Sequence, residues 1–236
     1  MREIRHRELA TMLATGAQIV DVLPYHEYNS AHIHGAIHIP LGHILRDAPI
    51  TLDRTRPVIV YCRDCLCDLS ARAAAQLELL GFTDVRHYFR GKVDWMERGL
   101  PMYPPALLSE RVRAFRYFVN NLAPELRKFW IHYTDRVRVA EFMRDDLVRL
   151  SPEDSVPPAT PASPMPRAVV LNSEGILLGA IEQSDSAPRS LAAMNPAPQT
   201  IRPDMTPRLA TQLLVSNRHL LVTTAMGKYL GRYLTA

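Results

Sequence analysis

Cysteine is scarce in this chain: three in 236 residues, at Cys62, Cys65 and Cys67. An odd count confined to six consecutive positions cannot staple distant segments together, which excludes a disulfide framework. Long hydrophobic runs are missing too. No stretch approaches the ~20 apolar residues that a membrane-spanning helix requires. The first residues, Met1-Arg-Glu-Ile-Arg-His-Arg-Glu, carry charges with no apolar core behind them, so no secretory signal is expected. These absences predict a cytoplasmic protein with no membrane partner. Blocks of one charge are also lacking. The 28 Lys and Arg against 24 Asp and Glu give a net +4 that is spread along the chain. That pattern reads as a solvated basic surface rather than a nucleic-acid footprint, and it suits a small anionic substrate.

What is present is ordinary for a globular chain: 47% hydrophobic and 22% charged residues. The length suits two compact domains. Residues 2–15 read as a short amphipathic helix. Gln18–Leu23 is a short apolar run that suits a buried parallel strand. Tyr25–Ala31 reads as a polar turn or short helix, and Ala36–Pro40 as a second strand, stopped by Pro40. Pro57–Tyr61 is the strongest strand signal and ends directly at Cys62. Beyond it the period changes: Leu69, Ala73, Leu77 and Leu80 recur at helical spacing, with Asp68 placed to cap the start and Gly81 the end. Val85–Phe89 is another strand. Strand–loop–helix–strand order predicts right-handed βαβ units and a parallel sheet over residues 1–105.

Three thiols on one loop in a reducing compartment point to nucleophilic, redox or metal chemistry. A cysteine at the carboxyl end of a parallel strand, before a helix, stands where open α/β sheets place their active sites. Loop N–H groups and the dipole of the following helix favour an anion there, first a thiolate and then a persulfide. Arg63 and Arg72 add positive charge; Asp64 and Asp68 oppose it. Cys62 is the expected nucleophile, with Cys67, nearer the helix start, as the alternative. A zinc site would need a second ligand pair, which is missing. His32, His34, His38 and His43 read as hydrogen-bonded or exposed imidazoles, and Asp21 and Glu27 as scaffold carboxylates. No metal or cofactor is expected.

Residues 1–102 resemble a single-domain rhodanese. The resemblance is carried by Ile19-Val-Asp-Val-Leu, Tyr25-His-Glu-Tyr, Ala31-His-Ile-His-Gly-Ala-Ile-His-Ile-Pro, Val58-Ile-Val-Tyr-Cys, Ala73-Ala-Ala-Gln-Leu-Glu-Leu-Leu-Gly-Phe, Gly91-Lys-Val-Asp-Trp and Gly99-Leu-Pro. It implies sulfane-sulfur transfer from a small anionic donor to a thiol acceptor through a persulfide at Cys62. Cys67 and Arg63 would assist, and Asp64, Cys65, Leu66, Asp68 and Arg72 would line the substrate cradle. Two departures stand out. Asp21-Val22-Leu23 replaces the family's usual Asp-Val-Arg. The loop from Cys62 to Ser70 is also about two residues longer than usual and has no glycine. Its second cysteine leaves open a thiol-based redox or arsenate-type reductase in which Cys62 and Cys67 form a disulfide.

Residues 106–136, basic and aromatic-bearing, read as a helical linker. In residues 137–236 a hairpin is expected over 167–181, turning at Asn172-Ser-Glu-Gly. A weak tandem repeat is also expected, with Met143 and Met194 in equivalent places 51 residues apart. This half resembles a degenerate pair of cystathionine-β-synthase-type (CBS) domains. Gly179-Ala-Ile-Glu-Gln-Ser-Asp185 is similar to that family's ribose-binding stretch. The resemblance implies a dimerising or regulatory module, with weak adenine-nucleotide binding at Asp185. The whole is expected to be an α/β fold, a rhodanese-type parallel sheet with flanking helices, followed by a smaller α+β CBS-like domain in a homodimer. A catalytically silent scaffold coupled to nucleotide sensing is the alternative from another class.

Overall fold

The structure, a computed structural model, describes residues 2–103, 143–156, 168–181, 194–205, 210, 213 and 220–233. The expected helical linker over 106–136 and Asp185 lie outside these residues.

The N-terminal part is a five-stranded sheet in the order β1 (Arg2–Glu3), β6 (Val85–Tyr88), β5 (Val58–Tyr61), β2 (Gln18–Asp21), β4 (Ile37–His38), with every pairing parallel. The side-chain period of two divides its core. Val20, Val58 and Val60 pack with Ile44, Ala73, Ala74 and Leu77 on one face. Ile19, Ile59 and Tyr61 pack with Leu9 and Trp95 on the other. The first face is covered by α3 (Ile44–Thr51) and α4 (Leu69–Leu79), the second by α1 (His6–Ala14) and α5 (Gly91–Glu97). The continuous helix expected over 2–15 is corrected. Arg2 and Glu3 extend the sheet edge beside Arg86 and His87, and the helix starts only at His6.

Helix α4 ends as expected, with Gly81 at φ +85°, the left-handed conformation that glycine adopts without a side-chain clash. Its start differs from the expectation. Asp68 makes no side-chain cap. Its carboxylate instead accepts hydrogen bonds from Thr223 Oγ1 at 2.9 Å and Thr200 Oγ1 at 3.2 Å in the C-terminal half. Ser70 to Leu77 are all buried, where an amphipathic surface helix would leave one side wet. The reason is a second cover: Ala75 packs with Leu150, Ala168, Val170, Ile176 and Leu178. Gln76 Nε2 donates to the carbonyls of Leu178 and Pro196, each at 2.9 Å.

The C-terminal half is a tandem repeat. Strand β9 (Val148–Leu150) pairs parallel with β10 (Ala168–Leu171), which turns back antiparallel into β11 (Leu177–Ile181). The same arrangement recurs in β12 (Thr200–Ile201), β13 (Leu220–Thr223) and β14 (Tyr229–Tyr233), each starting 52 residues after its counterpart. Irregularities recur at Val170/Leu171 and Val222/Thr223, and positive-φ turn glycines at Gly175 and Gly227. The repeat is therefore offset by 52 residues, not the 51 that matching Met143 to Met194 suggests. The two copies exchange partners. Leu177 N–H donates to Gly227 O, and Tyr229 N–H donates to Gly175 O. Strand β8 (Met143–Arg144) pairs with β14 of the second copy, while Asn195 bridges to Ala180 of the first. Reciprocal contacts of this kind are those of a pseudo-twofold pair. No helix among the described residues is long and apolar enough to cross a membrane.

Candidate active site

Strand β5 ends at Tyr61, and the chain then turns through the cysteine loop into α4. The loop is held from below by the start of α5: Lys92 N–H donates to Cys62 O and Val93 N–H to Arg63 O, both at 3.0 Å. Gly91 makes this approach possible. It sits at φ +63°, and a Cβ there would lie 2.5 Å from Cys62 O and 2.6 Å from Arg63 O. The loop is also tied internally. Asp64 Oδ1 accepts from Leu66 N–H at 2.9 Å and Asp64 O from Cys67 N–H at 3.2 Å. The Asp64 carboxylate thus shapes the turn that a glycine-free loop requires.

The two candidate thiols are unequal. Cys62 is fully buried. Its Sγ lies 3.4 Å from Cys67 O and 3.0 Å from Ser70 Oγ. Burial pushes this thiol well above its ordinary range, as does the neighbouring Cys67. Cys67 is half-buried. A hydrogen bond from Cys62 holds it below the ordinary thiol range, and the N–H groups of Leu69 and Arg63 act in the same direction against desolvation and Asp68. Cys67 is therefore the more acidic thiol of the pair, and Cys62 the one whose anion needs help from its surroundings.

A cavity of about 390 Å³ opens in front of Cys67, with Cys62 buried behind it and not on its lining. Arg63, Asp64, Leu66, Cys67 and Leu69 line it from the loop, and Leu23, Pro24, His26 and Glu27 line it from the β2–α2 side, where α2 is Tyr25–Ser30. Glu27 forms ion pairs with Arg63 and Lys92. Lys92 Nζ also donates to the carbonyls of Glu27 at 2.8 Å and Ala31 at 2.9 Å. Arg63 and the carboxylates of Glu27 and Asp64 thus line the cavity, with Lys92 paired to Glu27 behind it, so Arg63 is the cation an anionic guest would meet.

Of the residues expected at the site, Cys62, Arg63, Asp64, Leu66 and Cys67 come together. Cys65 is exposed on the rim and does not line the cavity. Asp68 and Arg72 point the other way. Arg72 is fully buried, with Nη1 3.4 Å from Pro198 O and Nη2 3.5 Å from Pro196 O, and it pairs with Asp68 at 3.7 Å. Both belong to the seam with the C-terminal half, so they cannot touch a guest in this cavity. His32 Nδ1 donates to Tyr28 O, 2.9 Å away, and the ring stacks on Tyr28. Asp21 is buried and receives Leu23 N–H at 2.9 Å. Three groups escaped the sequence reading: Ser70, His87 and Lys92. Lys92 follows a glycine in a motif that could have drawn attention to it; no sequence signal joins Ser70 to His87.

Comparison with known proteins gives the following. The family model described as "Rhodanese-like domain" matches residues 6–98. A curated relative, the HTH-type transcriptional regulator Rv0324 of Mycobacterium tuberculosis, is 34% identical over 84 residues, 36% of this chain and 36% of its own length. The chain thus spans about a third of that relative. Among solved structures, the BH2092 protein from Bacillus halodurans is similar at 27% identity, with 46% of this chain and 83% of that one covered and a TM-score of 0.42. A human single-domain sulfurtransferase is similar at 21% identity, with 41% and 96% covered and a TM-score of 0.35.

Proposed function

Since residues 6–98 are a rhodanese-like domain, we propose that the protein is a sulfurtransferase that moves sulfane sulfur through a cysteine persulfide at the Cys62–Cys67 pair. The observation that carries this reading is the pairing itself: a buried thiol at the strand end beside a more acidic thiol that faces a cavity lined by Arg63. In the reaction a thiolate attacks the outer sulfur of a small anionic donor such as thiosulfate. A new S–S bond forms, the donor's S–S bond breaks, and sulfite leaves with the electron pair. A thiol acceptor removes the sulfur by the same exchange, with no net oxidation.

Cys62 is the carrier in this reading and Cys67 the thiol between it and the cavity. A donor entering from solvent meets Cys67 first. Arg63 is the exposed cation on the wall, and release from Glu27 would free it for the donor's anionic end. Asp64 and Leu66 set the loop's shape. At about 390 Å³ the cavity suits a low-molecular-weight donor rather than a protein surface.

A second reading is supported by the nearness of the two cysteines, with Cys62 Sγ 3.4 Å from Cys67 O. Attack of Cys62 on the inner sulfur of a Cys67 persulfide gives a Cys62–Cys67 disulfide and releases hydrosulfide, so the same pair would serve a thiol-based reductase. The C-terminal repeat we read as a regulatory and dimerising CBS-like module. Its support is the pseudo-twofold repeat and its seat on α4, the helix that follows the reactive loop. Light scattering giving a clean monomer would remove the dimer.

The reading of the site is tested by intact-mass spectrometry after incubation with thiosulfate or mercaptopyruvate. A gain of one sulfur, lost on addition of a thiol, is expected. No gain with either donor counts against sulfur transfer.

A further inference from the structure

We propose that Ser70 and His87 form a buried positioning relay that turns a hydroxyl proton onto the Cys62 sulfur and so stabilises its thiolate and persulfide. The inference rests on the persulfide reading above and adds two residues to that site.

The chain of contacts is continuous. Cys62 Sγ lies 3.0 Å from Ser70 Oγ, and Ser70 Oγ lies 2.9 Å from His87 Nε2. Ser70 and His87 are both fully buried, one on the first turn of α4 and the other on β6. Parallel pairing of β5 with β6 sets His87 opposite Val60, two residues before Cys62, which brings the imidazole under the loop.

Geometry decides the direction of the proton. His87 Nδ1 has no hydrogen-bond partner among the described residues. Were Ser70 to donate to Nε2, the neutral ring's proton would sit on Nδ1 as a buried, unpaired N–H. With the proton on Nε2, only a lone pair is left unsatisfied, the cheaper of the two defects. His87 Nε2–H therefore donates to Ser70 Oγ, and the Ser70 hydroxyl is free to donate to sulfur. Burial keeps His87 neutral by pushing it down to about 4, so this tautomer persists through neutral pH. Phe89 closes the ring's surroundings with an edge contact at 5.8 Å.

Other charged or titratable groups face Cys62. Cys67 on the loop opposes its ionisation, and Lys92 on α5 favours it. Asp21 on β2 acts on Lys92. None of these donates a neutral hydrogen bond to the Cys62 sulfur. The Ser70 hydroxyl does, and it is held there by a histidine that solvent cannot reach. When Cys62 ionises, its proton leaves to solvent on the cavity side, and the Ser70 hydrogen bond strengthens on the anion. Sulfur from a thiosulfate donor then adds to that anion as described above, so the relay moves no electrons and needs no further reactant. Ser70 and His87 touch no substrate; they act through Cys62.

The test is the pH profile of Cys62 modification by iodoacetamide in the full chain, resolved from Cys65 and Cys67 by peptide mass spectrometry. Loss of one hydrogen bond to a charged sulfur should slow modification at neutral pH by about tenfold and move the midpoint up by roughly one pH unit. Ser70→Ala and His87→Leu should each do this, and together should do little more than either alone. Ser70→Thr and His87→Gln, which keep a donor, should restore most of it. A merely structural role would lower thermal stability without moving the midpoint. An unchanged midpoint in Ser70→Ala and His87→Leu overturns the relay, even where the wild type gains sulfur from thiosulfate. A moved midpoint with no sulfur gain in the wild type sustains the relay and overturns the persulfide reading instead.

Discussion

Substituting Gly91 by Ala probes how the loop is built. A Cβ at this position would lie 2.5 Å from Cys62 O and 2.6 Å from Arg63 O, both backbone atoms that cannot swing aside like a flexible side chain. The left-handed backbone, φ +63°, adds about 1–2 kcal/mol for a residue with a side chain. Relief requires the loop to lift, which weakens the two hydrogen bonds from Lys92 and Val93 into Cys62 and Arg63. Each contributes about 0.5–1.5 kcal/mol. The expected loss is therefore about 2–5 kcal/mol in urea unfolding. Because the lifted atoms carry the reactive cysteine, sulfur loading should fall at least tenfold even where the fold survives. Equilibrium denaturation and loading rate from thiosulfate are measured on the same sample. A Gly91→Ala protein within 1 kcal/mol of wild type, loading at the same rate, would refute the claim that α5 sets the loop position.

Arg72→Ala should cost about 3–5 kcal/mol, because it leaves a buried Asp68 carboxylate without its cation and the Pro198 carbonyl without a donor; Arg72→Met should cost less. Urea denaturation decides it, and a change under 1 kcal/mol would mean that the seam does not need this residue. Acid stability should carry the mark of His87. Its folded value of about 4 lies below the usual histidine value. The stabilisation is therefore present above pH ~6.5 and lost as pH falls toward 4, on the order of 3 kcal/mol across that window. Unfolding measured against pH in wild type and His87→Gln should show the slope flatten in the variant; equal slopes would contradict it. Mild peroxide should yield a Cys62–Cys67 disulfide by non-reducing peptide mapping, unaffected by Cys65→Ser. Over-oxidised or intermolecularly linked Cys62 alone would count against it.

Much of the sheet was legible because its strands are short apolar runs bounded by turn residues: β2, β5 and β6 all fall where the pattern places them. Helix α4 was legible from its leucine and alanine spacing. Helix α3 was not, since it is short and contains Pro49, and α5 begins on a positive-φ glycine that reads as a break. The site was legible as far as one loop carries it, which explains Cys62 and Cys67. Arg72 does not line the substrate cradle as expected, for a physical reason. A polar side chain on a helix ordinarily marks a wet face, and only the tertiary arrangement shows a second sheet covering that face and offering its carbonyls. Asp68 reads as a cap because a cap is local; the hydroxyls that donate to its carboxylate lie more than 130 residues away. The relay through His87 arises from strand register, which no local pattern encodes. In the repeat, methionines suggested the spacing, but strand pairing sets it at 52.

The central claim is that Cys62 holds the transferred sulfur with Cys67 between it and the cavity. Peptide mass spectrometry of thiosulfate-treated wild type, Cys62→Ser, Cys65→Ser and Cys67→Ser proteins, alkylated before digestion, tests it most directly. The added sulfur should map to Cys62 in the wild type and in Cys65→Ser, load more slowly in Cys67→Ser, and be absent from Cys62→Ser. Sulfur that survives loss of Cys62 and vanishes with Cys67 would contradict the account and make Cys67 the carrier.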